Sequence, residues 1–431
     1  MQSWLKKSGI IISLAAAALL ILGGCGSGSS NSGSASSGSK KNEKVTLTVS
    51  TWNYDTTPEF AALFRAYEKE HPNVTIKNVD IAADQYDNKL TTMLAGGDTT
   101  DILTMKNLLS YSGYAYRNQL LDITSDVKKL NTKDYQGTIA TLKTTDDKYY
   151  AIPYRNDFWV LYYNTELVKK AGVTIPDNMT WDQYEELAKK LTSGSGSDKV
   201  YGTYQHTWRS TIQAIAGAQT GHNLLKPNYE FMKPYYDRAL AMQKAGYQMN
   251  YGTAKSTQTT YTAQFQTGKT AMMIMGTWAM SGNIQAADKG TTNVKWAIAP
   301  VPQLKSGDST TFGSPTAFAI NKNSKNAAAA RDFVKWATGE KGAAVVAKIG
   351  IVPAYRTDAI NKIYFATKGM PTDATSKVAF EPKKIGIEMP QAKNSTQIDK
   401  ILQEEHDLIM IGDKTVSQGI KEMESRVKAL Q

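Results

Sequence analysis

Residues 45–105 constrain the fold of this 431-residue chain more than any other part. Residues 45–50 alternate as a strand. A helix follows, with Thr57 as candidate N-cap and Pro58 at its first position. Its apolar face is Phe60, Leu63, Phe64 and Tyr67, spaced i, i+3, i+4 and i+7. His71-Pro72 ends it. Residues 74–79 make the next strand. Tyr86, Leu90, Met93 and Leu94 mark a second helix that stops at Gly96-Gly97, and 102–105 make a third strand. Strand–helix–strand–helix–strand predicts an α/β fold with a parallel sheet and right-handed crossovers. The length suits two domains better than one.

The segment 268–280, GKTAMMIMGTWAM, points to a ligand edge. Residues 271–275 are an apolar run of strand length. At Gly276 the backbone can turn tightly or approach a ligand closely. Thr277 is a candidate N-cap, which puts Trp278 at the carboxyl end of a strand beside a helix start. Open α/β sheets bind ligands at that edge. A core role for Trp278 is the competing reading, since Trp is buried on average. Trp52 and Trp208 also stand where a strand gives way to a loop. Trp159, Trp296 and Trp336 lie in apolar periodic segments and read as core.

The N-terminus reads as an export signal. Lys6 and Lys7 precede an apolar stretch at 10–22, and Leu22-Gly23-Gly24-Cys25 is a small-residue processing site. The apolar stretch is too short for the ~20 residues that cross a bilayer. Cys25 is the only cysteine, so no disulfide can form within the chain. Residues 26–39 hold four Gly and eight Ser; such a tract is a flexible coil with a reach of ~20 Å. The formal net charge is +11. The basic residues are dispersed along the chain, which gives no footprint for nucleic acid.

Catalytic motifs are missing. The four histidines (His71, His206, His222, His406) show no metal-ligand spacing, and no cofactor or metal is expected. Gly268-Lys269-Thr270 mimics the end of a P-loop, but Ala263 stands where the motif needs glycine. A glycosidase needs only two suitably spaced carboxylates, so that chemistry stays open. The positive signal is aromatic. A sugar ring offers an apolar face to an indole, while charged and amide groups satisfy its hydroxyl rim. Asp55, Asn107, Arg155, Asp157 and Arg209 are the candidate polar partners. For each, an ordinary surface role is the competing reading.

Several motifs, in order, resemble bacterial extracellular solute-binding proteins of the maltodextrin-binding type, the receptors of ABC sugar importers. L-G-G-C at 22–25 resembles the lipobox of bacterial lipoproteins, which implies cleavage before Cys25 and a palmitate-type lipid anchor on it. Asp101-Ile102-Leu103 resembles the family's P-D-[IV]-[IV] element, with Thr100 in place of Pro. The stretch 149–167, YYAIPYRNDFWVLYYNTEL, resembles the segment that passes between lobes, with Asp157 where relatives place a sugar-binding carboxylate. YGTYQHTW at 201–208 resembles a strand leading to a cleft-facing aromatic, here Trp208. M-x-x-x-G-x-W ending at Trp278 resembles the ligand-stacking segment. FGSPTAFAI at 312–320 resembles the G-G-x-x-x-x-I element, with Gly313 kept and Ser314 where a second glycine is common. Gly350-Ile351-Val352-Pro353 resembles a short family turn.

The resemblance implies a two-lobed periplasmic-binding-protein-like fold with a cleft between lobes. Residues 1–24 would be the signal, 25–44 the lipidated cysteine and tether, 45–154 with 299–324 one lobe, and 155–298 with 325–431 the other. Crossovers are expected near Pro153, Pro300 and Ser324. Trp52, Asp55, Asn107, Gly313 and Ser314 would line the first lobe. Arg155, Asp157, Trp208, Arg209 and Trp278 would line the hinge and the second. The implied protein is a monomeric receptor on the outer face of the cell membrane that hands an oligosaccharide to a permease. A secreted carbohydrate-active enzyme and a receptor for a non-sugar solute are the alternatives.

Overall fold

The structure, a computed structural model, describes residues 44–431. Cys25, the signal segment and residues 25–43 of the tether lie outside the described residues. The opening elements fall where the apolar pattern puts them: β1 (Val45–Trp52), α1 (Pro58–Glu70), β2 (Val74–Ile81), α2 (Tyr86–Ala95) and β3 (Ile102–Met105). β1 pairs in parallel with both β2 and β3. α1 buries Phe60, Leu63, Phe64 and Tyr67, and also Glu59, which lies on the same stripe. Thr57 precedes the helix but makes no side-chain cap bond.

Two long antiparallel strands, β4 (Ala151–Asn164) and β8 (Thr310–Ile320), then join two hydrophobic cores. Ala151, Ile152 and Tyr154 of β4 and Ala317, Phe318, Ala319 and Ile320 of β8 belong to the first core, with β1–β3. Phe158, Trp159, Val160 and Leu161 of β4 and Phe312 of β8 belong to the second. That core also takes side chains from β6 (Thr270–Gly276) and β7 (Trp296–Ala299), and Tyr204 from β5 (Tyr201–Tyr204). The strand order is β2-β1-β3-β8-β4-β6-β5, with β7 on β4 and β9 (Lys384–Ile387) on β8.

Between the cores, at Arg155, Asn156 and Asp157 of β4 and at Ser314 and Thr316 of β8, polar side chains replace apolar ones. The β4–β8 register shifts between Pro153 and Arg155, an irregularity of the kind that re-aims side chains. Gly313 lies opposite Phe158 in the ladder. A Cβ on Gly313 would stand 2.2 Å from the Asp157 carbonyl oxygen. The two strands come this close because that residue has no side chain.

The packing divides the chain differently from the expected boundaries. Residues 299–312 do not return to the first core at Pro300: Ala299, Val301 and Phe312 pack in the second, and the chain crosses back within β8. Residues 325–431 are not one body. Ala330, Phe333 and Val334 of the helix Ala327–Thr338 lie in the first core. The cause is aromatic packing, since Phe333 meets Phe64 and Tyr67 edge-on at 6.0 and 5.0 Å. The helices Ser395–Ile411 and Val416–Lys428 pack on the second core.

Substituting Gly313 by alanine should destabilise the protein by about 1–3 kcal/mol, because backbone has to yield. Gly282, in the helix Ala279–Asp288, is the control, since a Cβ added there would meet nothing within 4 Å. Gly282→Ala should be neutral or stabilise by about 0.5–1 kcal/mol. Urea denaturation of both variants checks this; equal effects would contradict it.

Candidate functional site

Where the strands cross between cores, Arg155 is buried with two carboxylates. Its guanidinium pairs with Glu59 of α1, and its Nε lies 2.9 Å from Asp157 Oδ2. Nε also donates to Thr316 Oγ1 at 3.0 Å. Glu59 and Asp157 are 1 % and 2 % exposed. Burial raises both carboxyls above their ordinary range, against the pull of Arg155. Asp157 Oδ1 accepts a hydrogen bond from Thr277 Oγ1 at 2.8 Å. The expected N-cap role of Thr277 is thus replaced. Its hydroxyl serves Asp157, and the helix Ala279–Asp288 begins without a side-chain cap.

Thr277 also donates its backbone N–H to the Phe158 carbonyl at 2.9 Å, which carries the β4–β6 ladder one residue further. Trp278 comes next and folds back over the strand end. A Cβ on Gly276 would sit 2.0 Å from the indole, so the glycine makes room for the ring. Trp278 lies 5.5 Å from Trp159, edge to face, and 6.2 Å from Trp208 at an interplanar angle of 52°. Trp159 is buried and stacks on Phe312 at 4.8 Å. Trp208 is 40 % exposed. His206 and Tyr261 complete the group, with ring centroids 4.4 and 6.2 Å from Trp208. Burial holds His206 down at about 4, so its imidazole is neutral at physiological pH. The result is an aromatic corner, open at Trp208, backed by a buried polar cluster.

The expected site residues divide. Arg155, Asp157, Trp208 and Trp278 come together. Gly313 and Ser314 hold the strand beside them: Ser314 pairs with Asp157 in the ladder, and its Oγ accepts from the Leu108 N–H at 3.1 Å. Asn107 caps α3 (Leu108–Tyr116), accepting from Ser110 N at 3.0 Å. Trp52 is buried, edge-on to Phe60 and Tyr86 at 5.0 and 5.2 Å, with the Arg155 guanidinium 5.7 Å from its ring. It supports Arg155 and offers no open stacking face. Asp55 sits exposed on the turn that follows β1. Arg209 is a correction. It is buried and its guanidinium pairs with Asp399 of the helix Ser395–Ile411, a structural tie across the second core.

Glu59, Thr277, His206 and Tyr261 were missed by sequence reasoning. For Glu59 a signal existed, since a carboxylate four residues before Leu63 shares the buried stripe of α1. A cavity of about 30 Å³ inside the second core, lined by Trp181, Tyr204, Thr211 and Arg238 among others, has room for water alone. Among the described residues, no group of three or more His, Cys, Asp or Glu is placed to hold a metal.

These features define a class: two α/β lobes joined by crossing strands, with an aromatic and polar candidate site beside the crossing. The chain belongs to the bacterial extracellular solute-binding protein family, whose sequence model matches residues 50–344. A crystal structure of a sugar transporter from Rhizobium etli, in an open conformation, is 38% identical with a TM-score of 0.74. That match covers 90% of this chain and 100% of the other. The arabinooligosaccharide-binding protein of Bacillus subtilis is 25% identical over 351 residues, 78% of this chain and 77% of the relative. An ABC substrate-binding protein from Listeria monocytogenes, solved with cycloalternan, shares the fold at a TM-score of 0.76 and 20% identity, covering 90% of this chain and 99% of that one.

Replacing Arg155 by methionine leaves two carboxylates buried without a cation. The expected cost is about 3–5 kcal/mol at neutral pH. Because burial raises both carboxyls in the folded protein, protonation favours the folded form, and this contribution is lost as pH rises through their folded values. The deficit of Arg155→Met relative to wild type should therefore shrink between neutrality and about pH 5. Chemical denaturation at the two pH values checks it; an equal deficit at both would contradict it.

Proposed function

We propose that this protein is the sugar-capturing receptor of an ABC importer. It would hold an oligosaccharide between its lobes and deliver it, unaltered, to a membrane permease. One observation carries the reading: the aromatic corner of Trp208 and Trp278 stands beside the buried Arg155–Asp157–Thr277 cluster. Indole faces suit the C–H face of a pyranose, and a charge-assisted polar cluster suits its hydroxyls. The sugar-binding relatives support the same ligand class. Contacts from both lobes would favour a closed state, because only that state lets the ligand touch both.

Binding without turnover fits the charges. Glu59 and Asp157 are the buried carboxylates at this site, and Arg155 engages both. A glycosidase needs one carboxyl free to give a proton and another free to attack or to activate water. The receptor would work as a monomer on the outer face of the membrane, held there through lipid on Cys25. The lipobox-like run and the Gly/Ser tract support that placement.

Calorimetry with maltotriose, cellotriose, mannotriose and arabinotriose should give saturable binding to at least one. Trp208→Ala and Trp278→Ala should each weaken it by tenfold or more, about 1.4 kcal/mol, and no sugar should be cleaved on prolonged incubation. No saturable heat across the panel, or cleavage products, would overturn the reading. For the anchor, the protein from cells fed labelled palmitate should carry label, and Cys25→Ser should carry none; label retained in Cys25→Ser would contradict a lipid on that residue.

A further inference from the structure

Three loops converge at the carboxyl ends of β1, β2 and β3. Asn53, after β1, accepts the Ala83 N–H on its side-chain oxygen at 2.9 Å. Asp80, near the end of β2, accepts from Tyr54 N and from Thr51 Oγ1 at 3.0 and 3.2 Å. Lys106, after β3, donates from Nζ to the Ala83 carbonyl at 2.8 Å. Carboxyl ends of parallel strands are where open α/β sheets take ligands.

Lys106 is the outlier in this junction. An ammonium carries three donors, yet among the described residues its one hydrogen bond is to a neutral carbonyl. Among the described residues, no carboxylate stands within ion-pair distance of it. Its Nζ lies 5.6 and 5.7 Å from the Trp52 and Tyr86 rings, on the same indole that carries the Arg155 guanidinium. The Lys106 carbonyl accepts from Thr316 Oγ1 at 3.0 Å, and Thr316 Oγ1 also receives the Arg155 Nε–H. The backbone of Lys106 is thus tied to the crossing strands, while its ammonium reaches Ala83 and the Trp52 and Tyr86 rings. Burial disfavours its charge, against the pull of Asp87 and Asp84, which act on it without reaching ion-pair distance, and the side chain is still partly open to solvent. A half-buried cation with unspent donors costs free energy unless something completes its shell.

We propose that Lys106 is the ligand-contacting donor of the first lobe, binding acceptor oxygens of the captured saccharide. This rests on the sugar-receptor reading. The shared chemistry is an oxygen acceptor, either a hydroxyl pair of a neutral sugar or the carboxylate of a uronic-acid residue. The lysine stands where Trp52 had been expected to act. The first lobe grips through charge, and the second through aromatic faces.

The test is calorimetry on wild type, Lys106→Met, Lys106→Gln, Lys106→Arg and Trp208→Ala. The probes are the neutral trisaccharides above and trigalacturonate. Lys106→Met and Lys106→Gln should each weaken the best-binding probe at least tenfold, Lys106→Arg less, and melting temperatures should hold. Affinity that falls steeply with added salt for trigalacturonate alone assigns the acceptor as a carboxylate; tighter binding of a neutral probe assigns hydroxyls. Loss of binding in Trp208→Ala with affinity within twofold of wild type in both Lys106→Met and Lys106→Gln would overturn this inference and leave the receptor reading standing. So would a lowered melting temperature with unchanged affinity, the mark of a purely structural lysine. A wild type that binds none of the probes would overturn both.

Discussion

A guanidinium buried between two carboxylates is the constraint on which the rest of the architecture depends. Glu59 comes from the first helix, Arg155 and Asp157 from the strand that joins the cores, and Thr277 from the strand end that presents Trp278. Replacing such a cluster with apolar residues often stabilises a protein, because the desolvation cost rivals the attraction. Its worth here is positional. With Arg155 fixed by Glu59 and Thr316, Asp157 has one orientation available. Asp157 then fixes Thr277, and Thr277 sets where Trp278 begins. A charge network at the junction of two cores therefore decides where an indole stands in the second.

The aromatic corner obeys a second rule, that of space. Trp278 lies back over Gly276 because that residue has no side chain, and Trp159 fills the volume beneath, stacked on Phe312. Trp208 stays 40 % exposed at the rim. The rings touch one another at edge-to-face and tilted angles, the arrangements that aromatic quadrupoles favour. A ligand meeting this corner finds apolar faces already held in place, which lowers the entropy lost on binding.

Much of this was legible in the sequence, for local reasons. The first three strands and two helices follow from apolar spacing and from Pro and Gly punctuation. The strand end at Gly276 was legible because an apolar run of strand length stops there, and the glycine left room for the indole that follows. What could not be read was long-range partnership. Arg209 looks like a rim residue beside Trp208, yet its carboxylate lies 190 positions away in the chain. Trp52 follows a strand as Trp208 does, but Phe60, Tyr86 and Arg155 close over it. The helix Ala327–Thr338 packs on the other core from the one expected, because its apolar face says that it packs, and does not say on what. Lys106 drew no notice, since a lysine after a strand is an ordinary sight until its hydrogen bond to a neutral carbonyl is seen.

The central claim is that two joined lobes grip a saccharide, with the crossing strands as the fixed floor. A crystal structure of the complex with the tightest-binding trisaccharide tests it most directly. The account predicts a sugar ring against Trp208 or Trp278, its hydroxyls within hydrogen-bond distance of the Arg155–Asp157 cluster, and both lobes in contact with it. A saccharide bound to one lobe only, or away from the aromatic corner, would contradict it.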